Sequence, residues 1–293
     1  MNVRERIKNT LTYQPCDHLP LIHFGYWNEL LDEWAVQGHV SRDEARLWQD
    51  GNDVCRELGR RLGFDCNWAT VVSSEDTLLP RFPDEVVAVL PNGDRHVRNW
   101  CGVTELVAAG AGSIPAEIDH LLVDRASWEE HFKWRLVWSP ERLGPDPAAR
   151  VAQWNAATDH AAILFAGSVI GIIRNWLGVV NLSYLQIDDP ELLEEIIATC
   201  ADLAYRNVEA WFQAGLRPDF LHWWEDICFN HGPLVSPEFF RTLCVPYYRR
   251  TTALARRYGC GLASVDCDGM IEELLELWLE GGVNIMFPIE IGT

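Results

Sequence analysis

Side chains that could do acid–base or ligand chemistry fall directly after the predicted strands of this chain. In parallel α/β sheets, ligands bind just beyond the carboxyl ends of the strands, so we expect these groups to form one site. Carboxylates stand out, because Glu225 and Asp226 follow one predicted strand and Asp266 follows the next; Glu75 and Asp76 follow an earlier one. We expect catalytic roles for Glu225, Asp226, Arg174 and Asp266. We expect substrate-binding roles for His23, Tyr26, Trp27, Trp176 and Trp224.

A thiol, an imidazole and a carboxylate in this set point to a metal centre. Zn²⁺ takes sulfur, nitrogen and oxygen donors in a tetrahedral shell, and Cys267, His222 and Glu290 would supply one of each. The chain has no short HxH, CxxC or HExxH ligand pair. The same residues are therefore also consistent with a buried thiol, a core histidine and carboxylates that cap helices.

Arg174 interrupts the apolar stretch that begins at Ala161, where we expect a strand to open into its loop. A buried guanidinium needs a carboxylate partner or an anionic ligand, and the sequence leaves both open. The 14 tryptophans suit a large planar or apolar ligand, although packing in the core explains most such residues in general.

A strand–helix alternation is predicted to position these groups. Helix signals such as the proline-containing acidic start at Asp189-Pro190 separate apolar runs, which indicates an α/β fold with a parallel sheet. A closed (β/α)8 barrel needs eight strands, and six segments fit: 19–25, 67–73, 161–166, 219–224, 261–265 and 283–288.

Two further features lie outside this alternation. An N-terminal helical extension includes a helix that a capping box at Ser41 opens and that continues to about Leu62. The turn Asn92-Gly93-Asp94 predicts a β-hairpin insertion over 84–108. No repeat or linker marks a boundary, so we predict a single domain over 1–293.

Composition excludes several classes of partner. The 293 residues carry a formal net charge of −19, which would repel nucleic acids and anionic membranes. The apolar run from Ala161 to Ile173 is too short to span a bilayer. Nine cysteines without CxxC spacing and a charged start predict a reduced, cytoplasmic protein.

Several short segments along the chain form a recognisable series. In chain order they are Arg4-Glu5-Arg6, Pro15-Cys16-Asp17, Gly167-Ser168, Leu177-Gly178, Glu225-Asp226, 232–238, Asp266-Cys267-Asp268-Gly269 and Pro288-Ile289-Glu290. In this order they resemble the uroporphyrinogen decarboxylase superfamily, which includes the methylcobamide:thiol methyltransferases. The resemblance implies a TIM barrel, and two further strand–helix units are expected after Glu290, because only about six barrel strands are predicted up to that point.

The resemblance also implies a reaction. The decarboxylase branch has an arginine-rich loop after the first strand, whereas no arginine lies between Arg6 and Arg42 here. The methyltransferase branch holds zinc with a His-x-Cys pair and a later cysteine; Cys267 matches the cysteine, but Val265 stands in place of the histidine.

We therefore expect a corrinoid-linked methyltransferase-like enzyme that methylates a thiol or similar acceptor, with zinc and a methylcorrinoid as its expected cofactors. The alternatives are a cofactor-independent porphyrinogen decarboxylase and a non-catalytic protein that binds a corrinoid or another tetrapyrrole. Expected partners are a small-molecule or tetrapyrrole-type ligand, a corrinoid protein and a second copy of the chain.

Overall fold

The computed structural model describes residues 1–108 and 115–290. Short 3-10 and π-helical turns follow α5 between residues 128 and 143. In chain order the helices and strands are α1 (Val3–Leu11), β1 (Ile22–His23), α2 (Asn28–Gln37), α3 (Arg42–Leu47), α4 (Asp53–Arg61), β2 (Cys66–Asn67), β3 (Glu85–Val89), β4 (Arg95–Arg98), β5 (Val103–Val107), β6 (Ala116–His120), α5 (Arg125–Ser127), α6 (Pro147–Ala156), β7 (Ile163–Phe165), α7 (Gly171–Asp188), α8 (Pro190–Gln213), β8 (Phe220–Trp224), β9 (Cys228–Phe229), β10 (Gly232–Pro233), α9 (Pro237–Leu243), α10 (Val245–Arg257), β11 (Leu262–Asp266), α11 (Glu272–Gly281) and β12 (Ile285–Phe287).

Parallel strands form the centre of the molecule. One sheet has the order β12-β11-β8-β7, and β1 pairs with β2 in a second parallel sheet. A single parallel bridge from Val72 to Leu164 connects the chain after β2 to β7. Neighbouring strands therefore follow chain order, as in TIM-like folds. Within residues 1–108 and 115–290 no strand pairing joins β12 to β1, so a closed barrel is not shown.

Aromatic rings fill the space that these strands enclose. The Trp68 ring stacks on Phe287 with centroids 4.9 Å apart and lies at the same distance from Phe220. Its Nε1–H donates to Ser264 Oγ at 3.2 Å. The interior of the sheet is thus packed with side chains, and chemistry is confined to its edges.

Helices cover the outside of the parallel strands. The helix α8 buries a long apolar face that includes Leu192, Ile196 and Trp211, and its start is capped by Asp189, as the sequence predicts. At the amino end of the strands, Arg4 of α1 donates to the buried Asp219 carboxylate at 2.7 Å. That ion pair fixes the N-terminal helix on the face opposite the candidate site.

Three predicted segments differ from the structure. The region predicted as one helix over 41–62 is two helices, because Asn52 caps α4 and interrupts the pattern. The predicted hairpin is the start of a four-stranded antiparallel sheet with the order β3-β4-β5-β6, so the insertion extends to His120. Arg174, predicted to lie where a strand opens into its loop, lies in the first turn of α7.

No helix in the described ranges has the length and apolar character that crossing a bilayer would require.

Candidate functional site

The carboxyl ends of β8 and β11 bring together the predicted catalytic carboxylates. The backbone N–H of Glu225 donates to the carbonyl of Asp266 at 2.9 Å, which joins the two strand ends. Asp226 has a φ of 46°, in the left-handed region that costs a non-glycine residue about 1–2 kcal/mol. Backbone strain of this kind is concentrated at functional sites. Here the left-handed conformation of Asp226 turns the backbone sharply after Glu225.

Asp266 is the carboxyl group at this edge that is best suited to acid–base work. It is only 5% exposed, and burial raises its pKa to about 7, with the negative charges of Asp268, Asp226 and Asp50 adding to the effect. A group with a pKa near 7 both accepts and releases a proton readily at neutral pH.

Arg174 and Asp226 form an ion pair across the site. The Arg174 Nη2 donates to Asp226 Oδ2 at 3.1 Å, and the guanidinium lies 5.8 Å from the centre of the Trp224 ring. The Arg174 Nε–H is buried and has no hydrogen-bond partner among the residues that the structure describes. Of the two interpretations that the sequence leaves open, the structure shows the internal ion pair, with one donor unused.

Glu225 occupies a different environment from its neighbours. It is fully buried, and its two oxygens accept from the N–H groups of Val169, Ile170 and Gly171 at 2.7–3.0 Å. The hydroxyls of Ser168 and Tyr248 donate to it as well. Burial raises its pKa, and these donors oppose the increase. Five donors leave no free acceptor position, which favours a role as the anchor of the α7 N-terminus over proton transfer.

A small cavity lies beside Trp224. Its volume is about 120 Å³, and its lining includes Trp176, Trp224, Ser168 and Asp76. Burial raises the pKa of Asp76 to about 6. Asp76 is not among the catalytic residues predicted from the sequence, although its position after the second predicted strand is the signal that could identify it.

A buried arginine fixes the loop that carries Asp76. The Arg142 guanidinium, which is 1% exposed, donates to the carbonyls of Glu75 and Thr77 at 2.6 and 2.8 Å. These carbonyls flank Asp76 on both sides. Arg142 is therefore a positioning residue for that carboxylate, and nothing in the local sequence around Asp76 indicates it.

The aromatic residues predicted to bind substrate lie in two separate places. Trp176 and Trp224 line the small cavity. His23, Tyr26 and Trp27 line another cavity of about 390 Å³ beside α2, where the His23 and Tyr26 rings stack with centroids 4.1 Å apart. One ligand-binding surface formed by all five residues is therefore not observed.

The predicted zinc ligands do not converge. His222 Nδ1 forms a 3.0 Å hydrogen bond with Ser264 Oγ inside the sheet. Burial there lowers the pKa of His222 to about 3. Cys267 Sγ accepts from Ile227 N–H at 3.4 Å, and Glu290 accepts from Gly269 N–H at 2.6 Å. In the part of the chain that the structure describes, no three His, Cys, Asp or Glu side chains are arranged to hold a metal ion.

A comparison with solved structures shows a fold that this chain shares with another protein. No family model matches the chain, and no curated protein sequence matches it. Among solved structures, the chain is similar to a methyltransferase from Methanosarcina mazei, with 13% identity, a TM-score of 0.57, and coverage of 97% of this chain and 74% of that one. At this identity the likeness shows a shared fold, so the activity must be argued from the site.

Proposed function

We propose that the protein is a methyltransferase-like enzyme whose reaction takes place at the carboxyl ends of β8 and β11. The donor in this proposal is a methylcorrinoid presented by a corrinoid protein, and the acceptor is a thiol or a similar X–H group. The observation that carries the proposal is Asp266, a buried carboxyl with a pKa near 7 in a fold shared with a methyltransferase.

The chemistry requires a proton acceptor. When a methyl group moves to an X–H acceptor, a carbon–X bond forms, the carbon–donor bond breaks and the proton of X–H must leave. The Asp266 carboxylate takes that proton, because its raised pKa makes it a stronger base than an ordinary aspartate. The Asp226–Arg174 pair and the Trp224 ring orient the acceptor, while Glu225 holds the start of α7.

Zinc has no step in this mechanism, because the predicted ligands do not fit the ion. The Cys267 sulfur accepts a hydrogen bond from a backbone N–H, and the His222 side chain lies inside the packed sheet.

A turnover assay tests the proposal. The protein is incubated with methylcobalamin and 2-mercaptoethanesulfonate, and the methyl thioether product is quantified by mass spectrometry. We expect Asp266→Asn to reduce the rate by about 100-fold or more, as loss of a general base does. Asp32→Asn, which removes an exposed carboxylate on α2, should leave the rate unchanged. Undiminished product formation by Asp266→Asn would remove Asp266 from the mechanism.

A second candidate function is porphyrinogen decarboxylation without a cofactor. Asp76 favours it, because a carboxyl group with a pKa of about 6 in a cavity can deliver a proton. The Arg174–Asp226 pair opposes it, because that guanidinium is already neutralised. Incubation with uroporphyrinogen decides the matter: absence of CO₂ release ends this alternative. A cobalamin spectrum that shifts without turnover would instead support a non-catalytic binding protein.

Two further parts of the proposal concern the cell. We place the protein in the cytoplasm, because its nine cysteines are all free thiols in the structure, as is usual in a reducing compartment.

We also propose a homodimer on the strength of the family resemblance. Light scattering coupled to gel filtration tests this, and a mass of 33.4 kDa would show a monomer.

A further inference from the structure

The small cavity beside Trp224 has a lining that distinguishes it from the acidic edge formed by Asp226 and Asp266. Three of its walls are aromatic, namely Phe165, Trp176 and Trp224. Asp76 is the one charged group among the described residues that line it. A carboxylate in a cavity lined by aromatic rings is an arrangement that suits organic cations, since ring faces attract positive charge.

In the described part of the chain, no side chain neutralises the charge of Asp76 through a hydrogen bond. The Arg142 guanidinium is occupied by backbone carbonyls, including those of Glu75 and Thr77. Arg81 forms an ion pair with Glu75 at 2.9 Å. Both arginines therefore act on Asp76 only through space. A carboxylate without a hydrogen-bonded positive partner is stabilised by a cation that enters the cavity.

The remaining polar groups of the cavity fit the same interpretation. The Ser168 hydroxyl is already engaged, because its Oγ donates to Glu225 and accepts from Ile172 N–H. Burial raises the pKa of the Cys200 thiol, so this group is neutral. Trp176 is 1% exposed, and its Nε1–H has no hydrogen-bond partner among residues 1–108 and 115–290. Besides Ser168 and Cys200, the described lining thus has one carboxylate, the Thr77 hydroxyl, the unpaired Trp176 N–H and otherwise apolar walls.

The size of the cavity limits the ligand. A cavity of about 150 Å³ accommodates benzene, which has six heavy atoms, so a volume of about 120 Å³ corresponds to roughly five heavy atoms. The net charge of −19 also attracts cations and disfavours anions. We propose that this cavity is a binding site for a small alkylammonium cation, held by the Asp76 carboxylate and by the faces of Trp176, Trp224 and Phe165.

The inference adds to the proposed function a second class of methyl acceptor besides a thiol, namely a small alkylammonium, and only this role as acceptor rests on the proposed function. Binding itself is independent of turnover. The site adjoins the reaction edge, because the Trp224 ring lies at the cavity and also beneath the Arg174 guanidinium.

Calorimetric titration of the full chain with tetramethylammonium chloride, at constant ionic strength, tests the site. This probe has five heavy atoms and a fixed positive charge, and tert-butanol is its neutral match in size. We expect saturable binding of one tetramethylammonium per chain and at least tenfold weaker binding of tert-butanol. No saturation up to about 50 mM, or equal binding of the two probes, overturns the proposal.

Variants locate the site. Asp76→Asn should weaken binding of tetramethylammonium at least tenfold. Glu75→Gln removes the same charge from the adjacent residue, whose side chain pairs with Arg81 outside the cavity, and should change the affinity less than about twofold. Unchanged binding by Asp76→Asn, with a circular dichroism spectrum like that of the wild type, overturns the assignment.

The aromatic contribution is tested separately. Trp224→Leu removes an aromatic ring and should weaken binding several-fold. Trp176→Phe replaces the indole with a smaller phenyl ring and removes the N–H, but it keeps an aromatic face, so it should weaken binding less than Trp224→Leu does. Failure of tetramethylammonium to bind, alongside normal methylcobalamin turnover, would reject this site alone. Binding without any methyl transfer would reject the proposed function alone.

Discussion

Two neighbouring carboxyl groups, Glu225 after β8 and Asp266 at the end of β11, have opposite environments. Their backbones are joined by a 2.9 Å hydrogen bond, and both side chains are buried. Glu225 accepts from five donors. No donor in the described part of the chain offsets the effects that raise the pKa of Asp266, and three other carboxylates add to them.

The difference separates groups that stabilise the fold from groups that are available for chemistry. Donors around Glu225 hold its charge in place and connect β8 to the start of α7. Asp266 has no such support, so its proton is exchangeable near pH 7. Burial alone therefore does not identify a reactive carboxyl; the number of donors that satisfy it does.

The largest effect on stability is expected at Glu225. In Glu225→Gln an amide N–H₂ replaces one oxygen and faces N–H groups that need an acceptor. We expect the free energy of unfolding to fall by about 3–5 kcal/mol, the usual cost of breaking a buried charged network. Urea denaturation followed by circular dichroism measures this loss.

An exposed glutamate on α11 provides the matched control. Glu276→Gln makes the same chemical change on the surface and should alter stability by less than about 0.5 kcal/mol. If both variants had equal stability, the hydrogen-bond network around Glu225 would not contribute to the fold in the way that its geometry implies.

A pH-dependent change in the free energy of unfolding is expected at Asp266. Its pKa in the folded protein, about 7, lies above the value of about 3.9 in an unfolded chain. Between these values the folded state keeps a proton that the unfolded state loses, so stability falls as pH rises from about 4 to about 7. Asp268, Asp226 and Asp50 face this group and contribute to the decline.

The variant Asp266→Asn lacks this titration. We expect it to be as stable as the wild type near pH 4 and up to about 4 kcal/mol more stable at pH 8, because a pKa difference of about three units corresponds to that free energy. Thermal unfolding at a series of pH values tests this, with Asp32→Asn as the surface control. A wild-type protein whose stability rises steadily through this pH range relative to Asp266→Asn would show that the Asp266 pKa is not raised.

Much of the fold was predictable because the relevant signals are local. The strands β7, β8 and β11 are largely buried and read as short apolar runs, and caps such as Ser41 and Asp189 mark helix starts within a few residues. The start of α7 was not predicted, because the group that caps it is Glu225, 54 residues further along the chain. Such a partner leaves no pattern in the local sequence.

The site was predictable in part, for the same reason. Residues after strands could be grouped by the rule that carboxyl ends share an edge, and this rule found Asp226 and Asp266. The sequence could not show which of these groups have ion-pair or hydrogen-bond partners. The partner of Arg174, for example, lies 52 residues away in the chain. Asp76 and Glu75 look alike in the sequence, and only the folded chain turns one inward and pairs the other with Arg81.

Asp226 follows Glu225 directly, and its backbone N–H donates to the Asp266 carbonyl at 3.4 Å. This residue has both a strained backbone and an ion pair, and two variants separate their contributions. Asp226→Asn tolerates the left-handed conformation and removes the charge, whereas Asp226→Gly also relieves the strain of a φ of 46°. We expect Asp226→Gly to exceed Asp226→Asn in unfolding free energy by about 1 kcal/mol, measured in urea. Both should lose methyl-transfer activity, because neither pairs with Arg174. Equal stability of the two would mean that the backbone at Asp226 is unstrained, and full activity of either would mean that the ion pair does not position the acceptor.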